Sequence, residues 1–132
     1  MKPIIATFFC ILYATGSHPQ GSKMDSPDPG ITKIKKDLQQ VSAFTSIDSA
    51  ISLIKQVIEE SGKINFAEGE AEARQKLAAK LNMKGEYQQA SENLAIAKKI
   101  YESLDDSLGF NYVWSTYGMM HGMQSRYDSS IH

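Results

Sequence analysis

The sequence predicts an all-α fold, a short α-solenoid in which antiparallel helix hairpins are stacked on one another. From Ile31 onward, apolar residues recur at intervals of three and four, which is the spacing of one face of a helix. The same arrangement of turn, large apolar residue and small residue returns every forty residues. A hairpin in such an array buries its apolar face only against its neighbour, so the repeat favours a stack over a closed bundle.

The residues before the first helix have two different characters. A signal peptide is predicted over 1–17, because the segment has the layout of one: Lys2, an apolar run over 4–14 and small residues up to Ser17. The apolar run is too short to cross a bilayer as a stable helix. Residues 18–30 are rich in Pro, Gly, Ser and charge and are predicted to form a flexible linker. We therefore expect an exported chain, periplasmic or secreted, that retains no cysteine once Cys10 is removed with the signal peptide.

Six helical segments are predicted in the remaining chain. Thr45 or Ser46 is a suitable N-cap for the second segment, and glycines end the second, third and fifth segments. The apolar stripes place the segments near 31–41, 47–58, 71–81, 90–104 and 110–120, with a sixth opening at Tyr127, and the expected stops are Gly62, Gly85 and Gly122.

The forty-residue offset superposes large residues on large ones and small residues on small ones. Near the start of each second helix a small residue recurs, which lets two helix backbones cross closely. The large residue three positions earlier is predicted to fill the corner beside the turn. The positions that define the repeat are Ile47, Ala50, Leu77, Ala78, Tyr87, Ala90, Leu94, Ala97, Trp114, Tyr117, Gly118, Tyr127 and Ser130.

These positions resemble the tetratricopeptide repeat (TPR). Leu77-Ala78, Gly85-Glu86-Tyr87 and Ala90 fall on the family's pattern, and Trp114-x-x-Tyr117-Gly118 is similar to its W-x-x-L-G opening. The resemblance covers 31–132 as a TPR domain of about two and a half units, at 31–68, 69–108 and an incomplete 109–132. The period of forty exceeds the usual ~34, and a HEAT or armadillo array has a similar period, but the G-x-Y-x-x-A turn favours TPR.

The composition excludes several classes of function. Fourteen basic residues against fifteen acidic ones give a net charge of −1, which is unlike the basic surface of a nucleic-acid-binding protein. No phosphate loop, dinucleotide motif or nucleophile elbow occurs, so we predict a protein that is not an enzyme and has no cofactor. Copper held by His121 with Met119 and Met123 is a remote alternative.

The resemblance implies a binding surface on the first helix of each unit, whose non-core positions face a partner. These positions combine amide, hydroxyl, aromatic and thioether groups with little charge, which suits a protein or peptide. A clamp for a terminal carboxylate is not expected, since the third unit lacks cations. The predicted partner-binding residues are Lys35, Gln39, Ser42, Gln75, Asn82, Met83, Tyr112, Ser115, Met119 and Met123.

The predicted function is therefore a non-enzymatic module that binds a protein or peptide. A long-period array behind a signal peptide resembles the exported N-terminal TPR region of bacterial sensory regulators. Because the chain stops within a predicted helix at His132, we expect a truncated sensory or scaffold region of a longer exported or membrane regulator. The alternative is a self-contained secreted scaffold that self-associates through its open helical end.

Overall fold

The computed structural model describes residues 26–131, apart from the side chain of Tyr127, and these residues form helices joined by short turns. The predicted signal peptide at 1–17 and linker residues 18–25 lie outside the described residues, as does His132. The elements are α1 (Pro29–Gln40), a 3₁₀ turn (Val41–Ala43), α2 (Ile47–Lys63), α3 (Ala67–Met83), α4 (Tyr87–Ser103) and α5 (Ser107–Ile131). The prediction of an all-α fold is confirmed.

The helices pack in two layers. Each helix contacts the next one in sequence, and α3 also contacts both α1 and α5. In the described part of the chain, α2 and α4 do not touch each other. The odd-numbered helices therefore form one continuous layer and the even-numbered helices lie behind it, which is the arrangement expected of stacked hairpins.

The interval of forty residues divides into two equal halves. The helices α2, α3 and α4 each contain 17 residues, and α2 to α5 begin at 47, 67, 87 and 107. Each linking turn has three residues, and its middle residue has a positive φ: 54° at Asn65, 81° at Gly85 and 54° at Asp105. Asn, Gly and Asp are the residue types that tolerate this left-handed conformation best.

The three turns are also closed by the same hydrogen bond. The backbone N–H of the third turn residue donates to the carbonyl five residues earlier, from Phe66 to Ser61 at 2.9 Å and from Glu86 to Leu81 at 2.9 Å. Asp106 donates to Tyr101 in the same way at 3.0 Å. This bond satisfies a carbonyl left free by the end of the helix. One turn is thus used three times, although the sequence prediction recognised only its glycine form.

The N-terminal caps explain where the helices begin. Ser46 Oγ accepts from the N–H of Ser49 at 3.4 Å, as predicted for α2. Asp28 Oδ1 accepts from Gly30 N–H at 2.7 Å, so α1 begins at Pro29 and not at Ile31. Proline at this position needs no hydrogen-bond donor and already has a helical φ, and the expectation that Pro29 lies in the linker is wrong.

Small residues sit at the closest contacts between elements. Ala50, Ala90 and Ala97 are completely buried, as the repeat predicted. A Cβ at Gly69 would overlap the ring of Phe66, and a Cβ at Gly109 would overlap the ring of Tyr101. The buried apolar core comprises Ile34, Leu38, Val41, Ala50, Ile51, Ile54, Val57, Ala71, Ala73, Leu77, Ala78, Leu81, Ala90, Leu94, Ala97, Tyr101, Val113 and Met120.

The last helix departs most from the prediction. A stop at Gly122 and a sixth helix from Tyr127 were expected, but α5 runs without a break from Ser107 to Ile131. Gly118 and Gly122 therefore lie inside one continuous helix. Ser130, predicted to be the small residue of a following helix, is an exposed residue of α5. None of the described helices is long and apolar enough to cross a membrane.

Candidate functional site

The odd-numbered layer has an open groove between α3 and α5, at the ends where both helices begin. Its volume is about 580 Å³. Tyr101 of α4 forms part of its wall, and the α4–α5 turn closes it at one side. The lining residues are Glu68, Glu72, Gln75, Lys76, Tyr101, Asp106, Leu108, Gly109 and Tyr112.

Two of the predicted binding residues hold the helices together instead of facing a partner. Asn82 is only 2% exposed, and its Nδ2 donates to Met123 Sδ at 3.0 Å. Gln75 accepts from the Tyr101 hydroxyl at 3.4 Å and donates to Thr116 Oγ1 at 3.5 Å. The prediction that Asn82 faces a partner is wrong, because its position points toward α5 and not toward the open side.

These contacts fix the register of α3 against α5. Gln75 meets Thr116 and Asn82 meets Met123, and the two pairs are each separated by 41 residues in sequence. The constant separation means that the two helices run parallel at one level. Met83 of α3 is therefore within about one residue of the level of Met123, and Glu72 within about one residue of the level of Tyr112.

The groove is negatively charged at the end where the helices begin. Burial raises the pKa of the Tyr101 phenol, and the nearby carboxylates of Glu72, Asp106 and Glu68 raise it further. Glu72 pairs with Lys76 at 3.5 Å. Asp106 Oδ1 accepts from Leu108 N–H at 3.1 Å and from Gly109 N–H at 3.0 Å, so it caps α5.

Farther along the two helices the open side becomes apolar. Tyr112, Met119 and Met123 lie seven and four residues apart and so share one face of α5; they are 62%, 49% and 40% exposed. Met83 on α3 is 55% exposed. Thioether side chains adapt to partners of different shape. From Glu72 to Met83 is eleven residues, or about 16 Å along the helix, so the acidic and thioether ends can be spanned by a short segment.

The remaining predicted residues lie elsewhere. Lys35, Gln39 and Ser42 are exposed on α1 and in the 3₁₀ turn, and they do not line the groove. Lys35 Nζ lies 5.8 Å from the centre of the Phe66 ring. Ser115 is exposed on α5, outside the residues that line the groove. Of the ten predicted positions, Gln75 and Tyr112 line the groove itself.

The sequence prediction missed most of the residues that give the groove its charge. Glu68 and Glu72 are four residues apart, a spacing that places them on one side of α3. Tyr101 is both 4% exposed and part of the groove wall. Asp106 could have been found as a cap, because aspartate is a favoured residue directly before a helix.

A copper site at 119–123 is not formed by these side chains. His121 lines an apolar hollow on the other side of α5 with Lys98, Trp114, Tyr117 and Gly118. Met123 instead contacts Asn82, so the imidazole and the thioether point to opposite sides of the helix. Within residues 26–131, no group of three or more His, Cys, Asp or Glu side chains is arranged to hold a metal ion.

Comparisons with protein-family models, with curated proteins and with solved structures found no match to this chain. A function for this chain is therefore inferred from the groove and from the stack that forms it.

Proposed function

We propose that this chain is a non-enzymatic TPR-like module that binds a peptide or protein segment along the groove between α3 and α5. The observation that carries the proposal is the groove itself, in which Leu108 and Tyr112 remain 69% and 62% exposed beside buried Tyr101. Exposed aromatic and apolar side chains in a preformed groove are typical of peptide recognition. The stack of hairpins and the G-x-Y-x-x-A turn at residues 85–90 support the TPR resemblance.

The two ends of the groove suggest the chemistry of the ligand. Glu68, Glu72 and Asp106 outnumber Lys76 at one end, which favours a lysine or arginine side chain. Met83, Met119 and Met123 at the other end favour an apolar side chain. An extended segment advances about 3.3 Å per residue, so about five residues separate the basic group from the apolar one. Tyr112 lies near the level of Glu72, at the acidic end, and is the proposed aromatic anchor.

The proposal is tested by selecting ligands without assuming their sequence. A random peptide library displayed on phage is panned against the full chain, and the selected peptides are measured by fluorescence anisotropy. We expect a basic residue followed by an apolar one. Tyr112→Ala should weaken binding about tenfold, as for an anchoring aromatic residue, and Glu68→Gln should weaken it less and reduce its salt dependence.

Matched controls lie away from the groove. Phe44→Ala removes another exposed aromatic side chain, and Glu59→Gln removes a carboxylate from α2, where it pairs with Lys63. Neither should change the affinity. The proposal is overturned if no selected peptide binds, or if the groove variants bind as well as the wild type.

The proposed setting is outside the cytoplasm, as the exported sensory or scaffold region of a regulator. The sequence of residues 1–17 supports export, and the TPR resemblance supports the sensory role. Sequencing the N-terminus of the exported chain tests the first point: cleavage near Ser17 is expected, and an intact Met1 would contradict it.

A second candidate function is self-association through α5. Besides the side chains on the groove side, α5 exposes Trp114 and Ile131, which are 54% and 65% exposed. The outer face of this helix is separate from the peptide groove.

A further inference from the structure

The outer face of α5 is the only long helix face in the described stack that repeats a buried face of another helix without being covered. Leu77, Ala78, Leu81 and Asn82 share one face of α3 and are all buried. Their counterparts forty residues later are Tyr117, Gly118, His121 and Gly122, of which Tyr117 is half-buried and the others are exposed.

This uncovered face has an apolar edge. Phe110 and Trp114 meet edge to face with ring centres 6.1 Å apart, and Trp114 and Tyr117 are 5.9 Å apart. Lys98 Nζ lies 5.6 Å from the centre of the Trp114 ring, and Lys98, Trp114 and Tyr117 border a hollow of about 470 Å³. Trp114 nevertheless remains 54% exposed.

The middle of the face allows close approach by another helix. A Cβ added at Gly118 or at Gly122 would meet no atom within 4 Å. Exposed Ser115 and Ser125 continue this line of small residues in both directions. Two helices can cross closely only where their contact positions are small.

The charge of α5 favours another copy of itself over a charged partner. Its 25 residues include two that are fully charged at neutral pH, Arg126 and Asp128, whereas the 17 residues of α3 include Glu68, Glu70, Glu72, Arg74, Lys76 and Lys80. Charged residues are depleted at the centres of protein interfaces. A face with so little charge would not repel an identical one.

We propose that two copies of this chain associate through antiparallel packing of α5 on α5, with the two-fold axis passing between Gly118 and Gly122. In this register Gly118 meets Gly122 of the second copy, and Ser115 meets Ser125 of the second copy. The face is therefore complementary to itself, as a two-fold interface requires.

Other helices of a second copy are poorer occupants. A helix of a second copy that packed on α5 as α4 packs on α3 would have to present the face of α4 that contains Ala90, Leu94 and Ala97. These three residues are completely buried in each copy. Phe44 and Ile96 are also exposed but lie outside α5. The helix α5 is about 37 Å long, and a strip about 12 Å wide along it gives roughly 900 Å² over both copies. We therefore expect a dimer that dissociates on dilution.

The test measures the mass of the full chain against concentration by sedimentation equilibrium. The wild type should shift from 14.6 kDa toward twice that mass as the concentration rises. Gly118→Gln should remain monomeric, because its side chain separates the two helices, while its Cβ has no atom of its own copy within 4 Å. The matched control is Gly62→Gln, which adds the same side chain at an open helical glycine of α2 and should associate like the wild type.

A crosslink tests the register. With Cys10→Ser removing the native thiol, Ser115→Cys combined with Ser125→Cys should give a disulfide-linked dimer on mild oxidation. The two positions are about 15 Å apart on one helix, too far for a disulfide within a copy. Ser52→Cys with Gly62→Cys provides the same spacing on α2 and should crosslink much less.

The inference deepens the self-association candidate and is independent of peptide binding. Monomeric wild type at every concentration, association unchanged by Gly118→Gln, or association abolished equally by Gly62→Gln would each overturn it. Association through residues 4–14 would be unchanged by Gly118→Gln. If Gly118→Gln is monomeric and still binds the selected peptides, both proposals stand; if it is monomeric and binds none, only the groove proposal fails.

Discussion

The helices α3 and α5 occupy equivalent positions in the stack and have opposite surroundings. On α3, Leu77, Ala78 and Leu81 are buried between helices. On α5, the residues forty positions later are Tyr117, Gly118 and His121, and two of these three are exposed. The same helical pattern can thus form a core or a surface, depending on whether another helix covers it. In a stack, burial is a property of the neighbours as much as of the sequence.

The sharpest test of this contrast truncates one side chain on each helix. Leu81→Ala should lower the free energy of unfolding by about 2–5 kcal/mol, because it removes a buried side chain and leaves a cavity. His121→Ala, at the equivalent position, should change it by less than about 0.5 kcal/mol, as for exposed sites. Urea denaturation followed by circular dichroism at low protein concentration measures both, and equal losses would contradict the contrast.

A smaller effect with opposite signs is expected at two glycines of α5. Gly109→Ala should destabilise the fold by about 1–3 kcal/mol, since the new methyl group would overlap the Tyr101 ring. Gly118→Ala should stabilise the monomer by about 0.5–1 kcal/mol, because alanine favours a helix interior and the space around it is open. Thermal unfolding of the two variants in parallel is the measurement. A gain at Gly109 would mean that the ring moves aside freely.

The smallest effect concerns the two tyrosines of the groove at alkaline pH. Burial and nearby carboxylates raise the pKa of Tyr101, so the folded chain keeps a proton that the unfolded chain loses above its pKa of about 10. Stability should therefore fall as the pH rises above about 10, by up to about 1.4 kcal/mol per pH unit. Tyr101→Phe should reduce this fall, and Tyr112→Phe, at an exposed position of the same groove, is the matched control. Unfolding by urea across this pH range tests the difference.

The sequence predicted the parts of the fold that depend on local pattern. Helical spacing of apolar residues located α2, α3 and α4, and the forty-residue interval identified Ala50 and Ala90 as contact residues, both of which are completely buried. These predictions succeeded because small residues and apolar stripes have the same meaning wherever two helices cross.

The prediction failed where a residue type has two structural uses. Gly122 was interpreted as the end of a helix, but glycine is also tolerated within one when neighbouring turns continue it. Asp105 and Asn65 were not recognised as turn residues, although their positive φ matches that of Gly85, because polar residues adopt this conformation less predictably than glycine. The continuous α5 could not be found from single residues.

For the candidate groove, the sequence predicted which kinds of residue are present better than it predicted which residues lie beside one another. Tyr112 was placed correctly on an open face, whereas Asn82 was not, because the two differ only in which side of the helix meets the next one. The direction of stacking determines that side, and one helix alone does not reveal it. The acidic residues of the groove come from α3 and from the α4–α5 turn, so Asp106 is 38 residues from Glu68 and 34 from Glu72 in sequence but lines the same groove. Only the packed structure shows this relation.

The identical three-residue turns have a consequence for how such a chain can change in length. A recombination event that joins the turn at Asn65 to the turn at Asp105 deletes one helix from each layer and leaves the junction with the same backbone geometry. A crossover in the opposite sense inserts a pair of helices in the same way. The gene can thus be lengthened or shortened by whole pairs while every remaining helix keeps its place in its own layer.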